Sequence, residues 1–255
     1  MKSKKEAFAS LMADFLYHFD TVTVFDDFLT LTVAAFGHNP RIGKSNDEDL
    51  YLQTIGKYKH HKLKDHFPKL LACLVMEMEE QIGSQSGNDV LGTYYEQNIF
   101  KKGSQQFFTP WHICEFMSSC LTGDAAEEQL RIIDPCCGSG RLLLCGAKNI
   151  GKQHHYYGID IDHTCVKMTA INLFLNGVFH AEVMWADSLS NDDFRMSYEL
   201  SFLPFGIFRI SEKEKSPLWH SYKSTFIKAD GSSLLLPSDD PENRNTTTGN
   251  QLRLF

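Results

Sequence analysis

Residues 131–142 of the chain read RIIDPCCGSGRL, and this short stretch decides the fold. A β-branched apolar run leads to Asp134, a turn containing Gly138 and Gly140 follows, and helix-forming residues begin at about Arg141. Glycine in such a turn permits positive φ and lets a ligand approach the backbone closely. The helix start beyond it favours a carboxylate or a phosphate group. The stretch therefore predicts a strand, a ligand-binding turn and a helix.

The sequence downstream repeats this alternation of strand and helix. Residues 156–159 and 181–185 predict two more strands, and between them lies a helix capped by Asp162 that ends at about Leu175. Strand, helix, strand, helix, strand within about 55 residues is typical of βαβ units. We therefore predict an α/β fold with a parallel, Rossmann-like sheet.

Asp160 favours a nucleoside-type ligand on this sheet. It ends the second predicted strand, 20 residues after Gly140, where an acid suits the hydroxyl groups of a ribose. The turn is not a dinucleotide loop, because Arg141 and Leu142 follow Gly140, and it lacks the Gly-Lys-Ser/Thr end of a Walker loop. The alternative is an ordinary tight turn between strand and helix, with Asp160 as a helix cap.

Length and composition indicate a soluble globular protein. The chain has 255 residues, of which 42% are hydrophobic, and its net charge of -7 excludes a globally basic nucleic-acid coat. Its densest apolar run, residues 70–76, is too short to span a membrane, and the N-terminus is too weakly apolar for a secretory signal. Seven cysteines without a C-x-x-C pair favour a cytoplasmic location and no metal, with structural zinc as the alternative.

Three parts of different character make up the chain. Residues 1–88 predict a helical N-terminal domain, because apolar residues recur there at helical spacing. Residues 89–210 contain the predicted sheet, after a helix that Asp89 caps and that runs to about Phe100. Residues 211–255 are mostly polar and predict a flexible tail. A basic cluster at 57–64 is either a solvated helix face or a phosphate-contacting patch.

Two motifs resemble those of a known family. DPCCGSG at 134–140 and QFFTP at 106–110 are similar to the S-adenosylmethionine motifs of N6-adenine DNA methyltransferases, in particular of modification subunits of type I restriction systems. The resemblance implies S-adenosylmethionine as cofactor, DNA as partner, and a separate specificity subunit. QFFTP also fits an ordinary capped helix, with Thr109 as N-cap and Pro110 at its first position.

The same resemblance implies the residues of the cofactor site. Asp134 and the two glycines would hold the methionine part of the cofactor, Asp160 its ribose and Asp187 its adenine amine. Two phenylalanines would wall the pocket. The implied set is Phe107, Phe108, Thr109, Asp134, Pro135, Gly138, Gly140, Asp160 and Asp187.

The catalytic motif of the family is degenerate in this sequence. It reads Asn-Pro-Pro-Phe after the fourth strand, and the best match is FLPFG at 202–206, which puts Phe202 at the position of the catalytic Asn. Phe202 has no oxygen to accept the hydrogens of a target amine, whereas Pro204 and Phe205 match, and Phe205 can stack on a base. We therefore expect weak or absent methyl transfer by the chain alone, and a truncated sheet. The alternative is a non-catalytic adaptor that keeps the fold.

The last five residues, QLRLF at 251–255, resemble the motif by which proteins bind the bacterial sliding clamp. Gln251 would lie at the entrance of the clamp pocket, and the apolar anchors would be Leu252, Leu254 and Phe255. Such anchors on a polar tether suit insertion into a surface pocket. The alternative is a segment that docks on the sheet of its own chain.

Overall fold

The computed structural model describes residues 7–37, 47–81, 89–100, 107–120, 129–190, 192–227 and 252–254. In this part of the chain helices flank a six-stranded sheet, so the predicted α/β class is confirmed. The strands are β1 Arg131–Asp134, β2 His155–Asp160, β3 Ala181–Trp185, β4 Met196–Phe202, β5 Phe205–Ile210 and β6 Leu252–Leu254. Their spatial order is β5-β4-β3-β2-β1-β6.

Four of these strands run parallel. β2 lies between β1 and β3, and β6 pairs with the other side of β1. β1, β2 and β3 end at Asp134, Asp160 and Trp185, which places three strand ends on one side of the sheet. We call this side the carboxyl edge. Ligands of open α/β sheets bind at such an edge.

Two helices connect the first three strands, as the sequence predicts. They are α7 Arg141–Asn149 and α8 His163–Leu175. Asp162 caps α8 by accepting a hydrogen bond from the Thr164 amide at 2.8 Å, which satisfies one of the unpaired N–H groups of its first turn. The chain leaves α8 through Gly177, whose φ of 74° lies in the left-handed region that glycine adopts without strain.

The helices that precede the sheet share its hydrophobic core. Their bounds are α1 Ala7–Ala13, α2 Thr21–Phe36, α3 Glu48–Gly56, α4 His66–Gln81, α5 Val90–Tyr94 and α6 Trp111–Cys120. A buried lysine joins the two parts: Lys167 of α8 is 2% exposed, and its Nζ lies 2.6 Å from Asp26 Oδ1 of α2. The proposed domain boundary at residue 88 lies outside the described residues. No helix of the described part is long and apolar enough to cross a membrane.

The prediction of a flexible tail over residues 211–255 is wrong for two segments. Pro217–Ile227 forms a helix, α9, and its Leu218 and Trp219 are buried against the sheet. Glu182 of β3 fixes the start of α9, because its Oε2 accepts a hydrogen bond from the Leu218 amide at 2.8 Å. The second segment is β6, which joins the sheet beside β1. The polar composition around Pro217–Ile227 concealed the helix, whereas the pairing of Leu252–Leu254 with β1 matches the stated alternative of a segment that docks on the sheet of its own chain.

The last pair of strands runs in a direction that the sequence does not reveal. β4 is antiparallel to β3, with Met196 opposite Trp185 and Leu200 opposite Ala181. β5 then returns antiparallel to β4, so residues 202–205 form the turn of a hairpin. This turn lies beyond the amino end of β3, on the side of the sheet away from the carboxyl edge.

Candidate cofactor site

The turn between β1 and α7 forms the floor of a cleft at the carboxyl edge. Gly138 and Gly140 have φ angles of 55° and 86°, which other residues adopt only with strain. A Cβ at Gly138 would lie 2.8 Å from the ring of Phe108, so this close approach also requires glycine. The Cys137 amide donates to the Ile159 carbonyl at 2.9 Å, which ties the turn to β2. The sequence thus builds a rigid, open turn beside the strand ends.

Two desolvated carboxyl groups lie next to this turn. Asp134 Oδ1 accepts from the Cys136 amide at 3.0 Å, and Asp160 Oδ2 accepts from the Gly138 amide at 2.8 Å. Burial raises the pKa of Asp134 to about 6; the hydrogen bond from Cys136 opposes the shift, and the charge of Asp160 adds to it. Burial also raises the pKa of Asp160, against the hydrogen bonds from the Asp162 and Gly138 amides. Both carboxylates would gain from a cationic or hydroxyl-bearing ligand.

A cleft of about 520 Å³ opens in front of Asp160. Ligand-binding clefts are typically about 300–1,000 Å³, so its size suits a nucleoside-type cofactor. A narrow extension of about 50 Å³ continues past Thr109 to Asp134 and Arg141. The main cleft is lined by Phe107, Phe108, Pro135, Cys136, Gly138, Asp160, Ile161, Cys165, Asp187, Ser188 and Leu189.

Most residues that the family resemblance singles out come together here. Phe107 is 85% exposed and stands at the rim, whereas Phe108 packs against the turn. Gly140 lines neither space. A Cβ on it would lie 3.0 Å from Thr169 Cγ2, so this glycine lets α7 approach α8. The prediction that Gly140 contacts the cofactor has no support in this geometry.

Asp187 lies on the loop after β3 and closes one side of the cleft. Its Oδ1 accepts from the Leu189 amide at 2.9 Å, and its own amide donates to Asp193 Oδ2 at 2.7 Å. The hydroxyl of Tyr222, in α9, donates to the Ser188 carbonyl. Asp193 and Tyr222 thus hold the loop that carries Asp187, and the sequence analysis assigned neither of them a role.

A buried acid upstream of the sheet holds the glycine turn from behind. Asp89 is 1% exposed, and it accepts from Ser139 Oγ and Arg141 Nε, both at 2.6 Å. Asn172 Nδ2 of α8 donates to Asp89 Oδ1 and to the Ser139 carbonyl, both at 2.8 Å. The sequence predicts Asp89 as a helix N-cap, which its bond from the Gly92 amide confirms. The link across 50 residues to Ser139 has no local sequence signal.

The structure places Phe202, Pro204 and Phe205, the residues that match the degenerate catalytic motif, away from the cleft. Met196 is paired with Trp185 at the carboxyl edge, and Phe202 is six residues further along β4 in the opposite direction. At about 3.3 Å per residue, this separation is about 20 Å. Phe205 packs on Phe174 with ring centroids 4.7 Å apart. A motif match in the sequence does not show in which direction the strand before the motif runs.

Metal ligation has no candidate in the described residues, since they contain no group of three His, Cys, Asp or Glu side chains that could hold an ion. The seven cysteines are free thiols. Cys136 faces the cleft, with its Sγ 4.0 Å from Ser188 Oγ.

The fold and the cleft together define an α/β protein with an open cleft at the carboxyl edge of the parallel strands of a mixed sheet. The model of the N-6 DNA Methylase family matches residues 86–226, which is more than half of the chain. The chain therefore belongs to this family, and the resemblance stated from its motifs is confirmed.

Similar proteins come from restriction and modification systems. The type I restriction enzyme MpnII methylase subunit of Mycoplasma pneumoniae is 27% identical over 190 residues, which are 69% of this chain and 34% of that protein. The type II methyltransferase M.VspI of Vibrio sp. is 30% identical over 135 residues, which are 50% of this chain and 32% of that protein. The chain thus spans about a third of the length of these relatives.

A solved structure is also similar to part of the chain. It is a type I restriction-modification system methyltransferase subunit from Streptococcus thermophilus, with 15% sequence identity and a TM-score of 0.35. The similarity covers 69% of this chain and 56% of that one.

Proposed function

We propose that this protein binds S-adenosylmethionine in the cleft at the carboxyl edge and serves as the cofactor-binding part of an N6-adenine DNA methyltransferase. The observation that carries the proposal is the pair of desolvated carboxyl groups of Asp134 and Asp160 beside a positive-φ glycine turn. When bound, the cofactor supplies an electrophilic methyl group for transfer to an exocyclic amine. Family membership supports adenine in DNA as the acceptor.

The carboxyl groups of the cleft divide the recognition between them. Asp160 would accept from the ribose hydroxyls, because its two oxygens have acceptor sites beyond those that the Gly138 and Asp162 amides use. Asp134 would face the cationic methionine part, which stabilises its ionised form. Asp187 would accept from the adenine amine with the acceptor sites that the Leu189 amide leaves open.

Methyl transfer by this chain alone is expected to be slow. The lone pair of adenine N6 is delocalised, so the amine needs an acceptor that shapes it for attack on the methyl group. Phe202 lacks such an acceptor and lies about 20 Å of strand from the carboxyl edge. Loss of a side chain positioned to accept a proton from the reacting group typically lowers the reaction rate by about 10²–10⁴-fold. We propose that a further segment or a partner chain supplies the acceptor, and that a specificity subunit directs the complex to its DNA site.

Sliding-clamp binding by residues 251–255 is a second, separate proposal, in which the chain is an adaptor. Leu252–Leu254 is paired with β1, so the segment must leave the sheet before a clamp can take it. Gln251 and Phe255 lie outside the described residues. The test is a titration with purified clamp of the full chain and of a chain without its last five residues. Equal binding by both, or none by either, contradicts this proposal.

Calorimetric titration with S-adenosylmethionine tests cofactor binding. Asp160→Asn keeps the shape of the side chain and one acceptor oxygen but loses its charge, and hydrogen bonds to charged groups are worth about 1.5–3 kcal/mol. We therefore expect the affinity to fall at least about tenfold. Asp192→Asn, on an exposed side chain outside the lining of the described cleft, is the matched control. Absence of any heat at millimolar cofactor would refute the proposal.

A radiolabel transfer assay on unmethylated DNA tests the expectation of slow chemistry. The same preparation is used, so that cofactor binding and methyl transfer are measured on one sample. Rapid turnover by the chain alone, abolished by Asp134→Asn, would contradict the proposed need for an external acceptor.

A further inference from the structure

Exposed lysines gather on one part of the helical segment, far along the chain from the cofactor turn. They lie after α3, in the 3₁₀ turn Lys62–Asp65 and in the first turn of α4. The net charge of the chain is -7, so this local excess of positive charge stands against the general composition. We define the basic patch as Lys59, His60, Lys62, Lys64 and Lys69, all of which are exposed.

The backbone of the basic patch is held by the core. His61 Nδ1 accepts from the Leu63 amide at 3.2 Å and so caps the 3₁₀ turn. Leu63 and Phe67 are 8% and 5% exposed, and they anchor the turn and the start of α4. The ring of His18 lies 4.5 Å from the ring of His61, which brings the turn of residues 14–18 beside the patch. The lysines therefore project from a fixed surface.

The charges of the patch are left for a partner. Lys57 is already paired with Asp27 at 2.7 Å, and His66 with Asp14 at 3.2 Å. The four lysines of the patch, in contrast, form no ion pair with any residue that the structure describes. Asp65 is an exposed acid among the four lysines, and Asp14 lies beside His66, so the local excess of positive charge is about two to three.

We propose that the basic patch binds the phosphate backbone of duplex DNA. The proposal rests on the proposed function for its choice of partner. Lys62 and Lys69 lie seven residues apart, in the 3₁₀ turn and in the first turn of α4, so at about 2.0 and 1.5 Å of rise per residue they are at most about 12 Å apart along the chain. One strand of a duplex presents a phosphate every 3.4 Å of its axis, so this length matches about three phosphates. Lysines act there as point charges, which position DNA without reading its sequence.

A salt series separates phosphate contacts from general charge. The full chain is titrated into a fluorescently labelled duplex, and the binding constant is plotted against salt on logarithmic axes. Lys62→Gln with Lys64→Gln removes two phosphate contacts, so the slope of the logarithm of the binding constant against the logarithm of salt concentration should become shallower by about 1.8. Extrapolated from about 1 M salt, this change lowers the affinity at about 0.1 M salt about 60-fold.

Lys213→Gln with Lys215→Gln is the matched control, because it changes the net charge equally. Lys213 is paired with Asp192 and Lys215 with Glu212, so the charge of each already has a carboxylate partner. The slope of this variant should equal that of the unchanged protein. An equal effect of both double variants, or no change in either, would overturn the proposal. The proposal would also be overturned if the patch variant lost binding to phosphatidylserine vesicles but bound DNA as the unchanged protein does.

Cofactor titration of the same variants separates the two proposals. The patch variants should bind S-adenosylmethionine as tightly as the unchanged chain does. If the unchanged chain binds no cofactor but the salt slopes behave as expected, the proposed function fails and the DNA surface stands. If the cofactor binds but neither the unchanged chain nor any variant binds the duplex even at low salt, only the proposal of a DNA-binding surface is rejected.

Discussion

Replacing Asp134 by Asn should make the protein more stable while it weakens cofactor binding. Burial raises the pKa of Asp134 from 3.8 to about 6 in the folded protein. Between about pH 4 and pH 6 the carboxyl group of Asp134 is therefore protonated in the folded state but ionised in the unfolded state. The free energy of unfolding falls as pH rises through this window. Above about pH 6, the buried carboxylate is ionised and lowers the free energy of unfolding by about 3 kcal/mol, which corresponds to the rise of its pKa from 3.8 to about 6.

The substitution removes this cost because the amide does not ionise. Its Oδ1 can still accept the hydrogen bond from the Cys136 amide, which measures 3.0 Å for the carboxylate. The NH₂ group of the Asn side chain replaces the second carboxylate oxygen and has no anionic partner. The gain in unfolding free energy at neutral pH is therefore at most about 3 kcal/mol. It should shrink to zero as pH falls below about 4.

Denaturant unfolding at a series of pH values measures the effect. Asp192→Asn is the control, because this side chain is 74% exposed and its surface ion pair with Lys213 should contribute less than about 1 kcal/mol. A loss of stability that is the same at every pH would show that Asp134 is held by its hydrogen bond rather than penalised by burial. That outcome would refute the electrostatic reasoning for the site.

Four other perturbations give distinct outcomes. Cofactor affinity should fall as pH drops through about 6, because Asp134 then takes up a proton; calorimetry at three pH values measures it, and a flat profile would contradict the assignment. Gly138→Ala should destabilise the protein by more than about 1 kcal/mol in thermal unfolding and abolish cofactor binding, since its φ is 55°. Asp89→Asn should weaken cofactor binding by about tenfold or more, because two charged or hydroxyl donors of the turn lose their anionic partner; Asp89→Glu is the conservative comparison, and unchanged affinity in both would remove its positioning role. Phe202→Asn with Leu203→Pro restores the motif letters but should not raise methyl transfer, because the turn lies on the far side of the sheet; a clear gain would show that the strand order is wrong.

Local patterns sufficed to predict the parallel strands and their ligand turn. The β-branched run before Asp134, the two glycines and the cap at Asp162 each act through their immediate neighbours, so their sequence signal is complete. The acid at Asp160 was predictable for the same reason, because strand length alone brings it to the carboxyl edge. The structure agrees with the sequence on each of these points.

Features that depend on distant partners were not predictable. The antiparallel direction of β4 follows from pairing with β3, and either direction suits the same alternation of residues. The start of α9 is held by Glu182, 36 residues earlier, which accepts a hydrogen bond from the Leu218 amide. Asp89 shows its local role as a cap in the sequence but not its contact with Ser139, because that contact exists only once the fold has formed.

Asp89 links the helical segment directly to the glycine turn between β1 and α7. Asp89 begins α5, which packs on α4, and it bonds directly to Ser139 in the turn. The basic patch lies at the other end of α4, whose 16 residues span about 24 Å. This length corresponds to about seven base pairs of duplex at 3.4 Å each. A duplex held by the proposed basic patch would therefore lie about one helix length from the glycine turn, because α4 packs on α5 and Asp89 at the start of α5 bonds to Ser139.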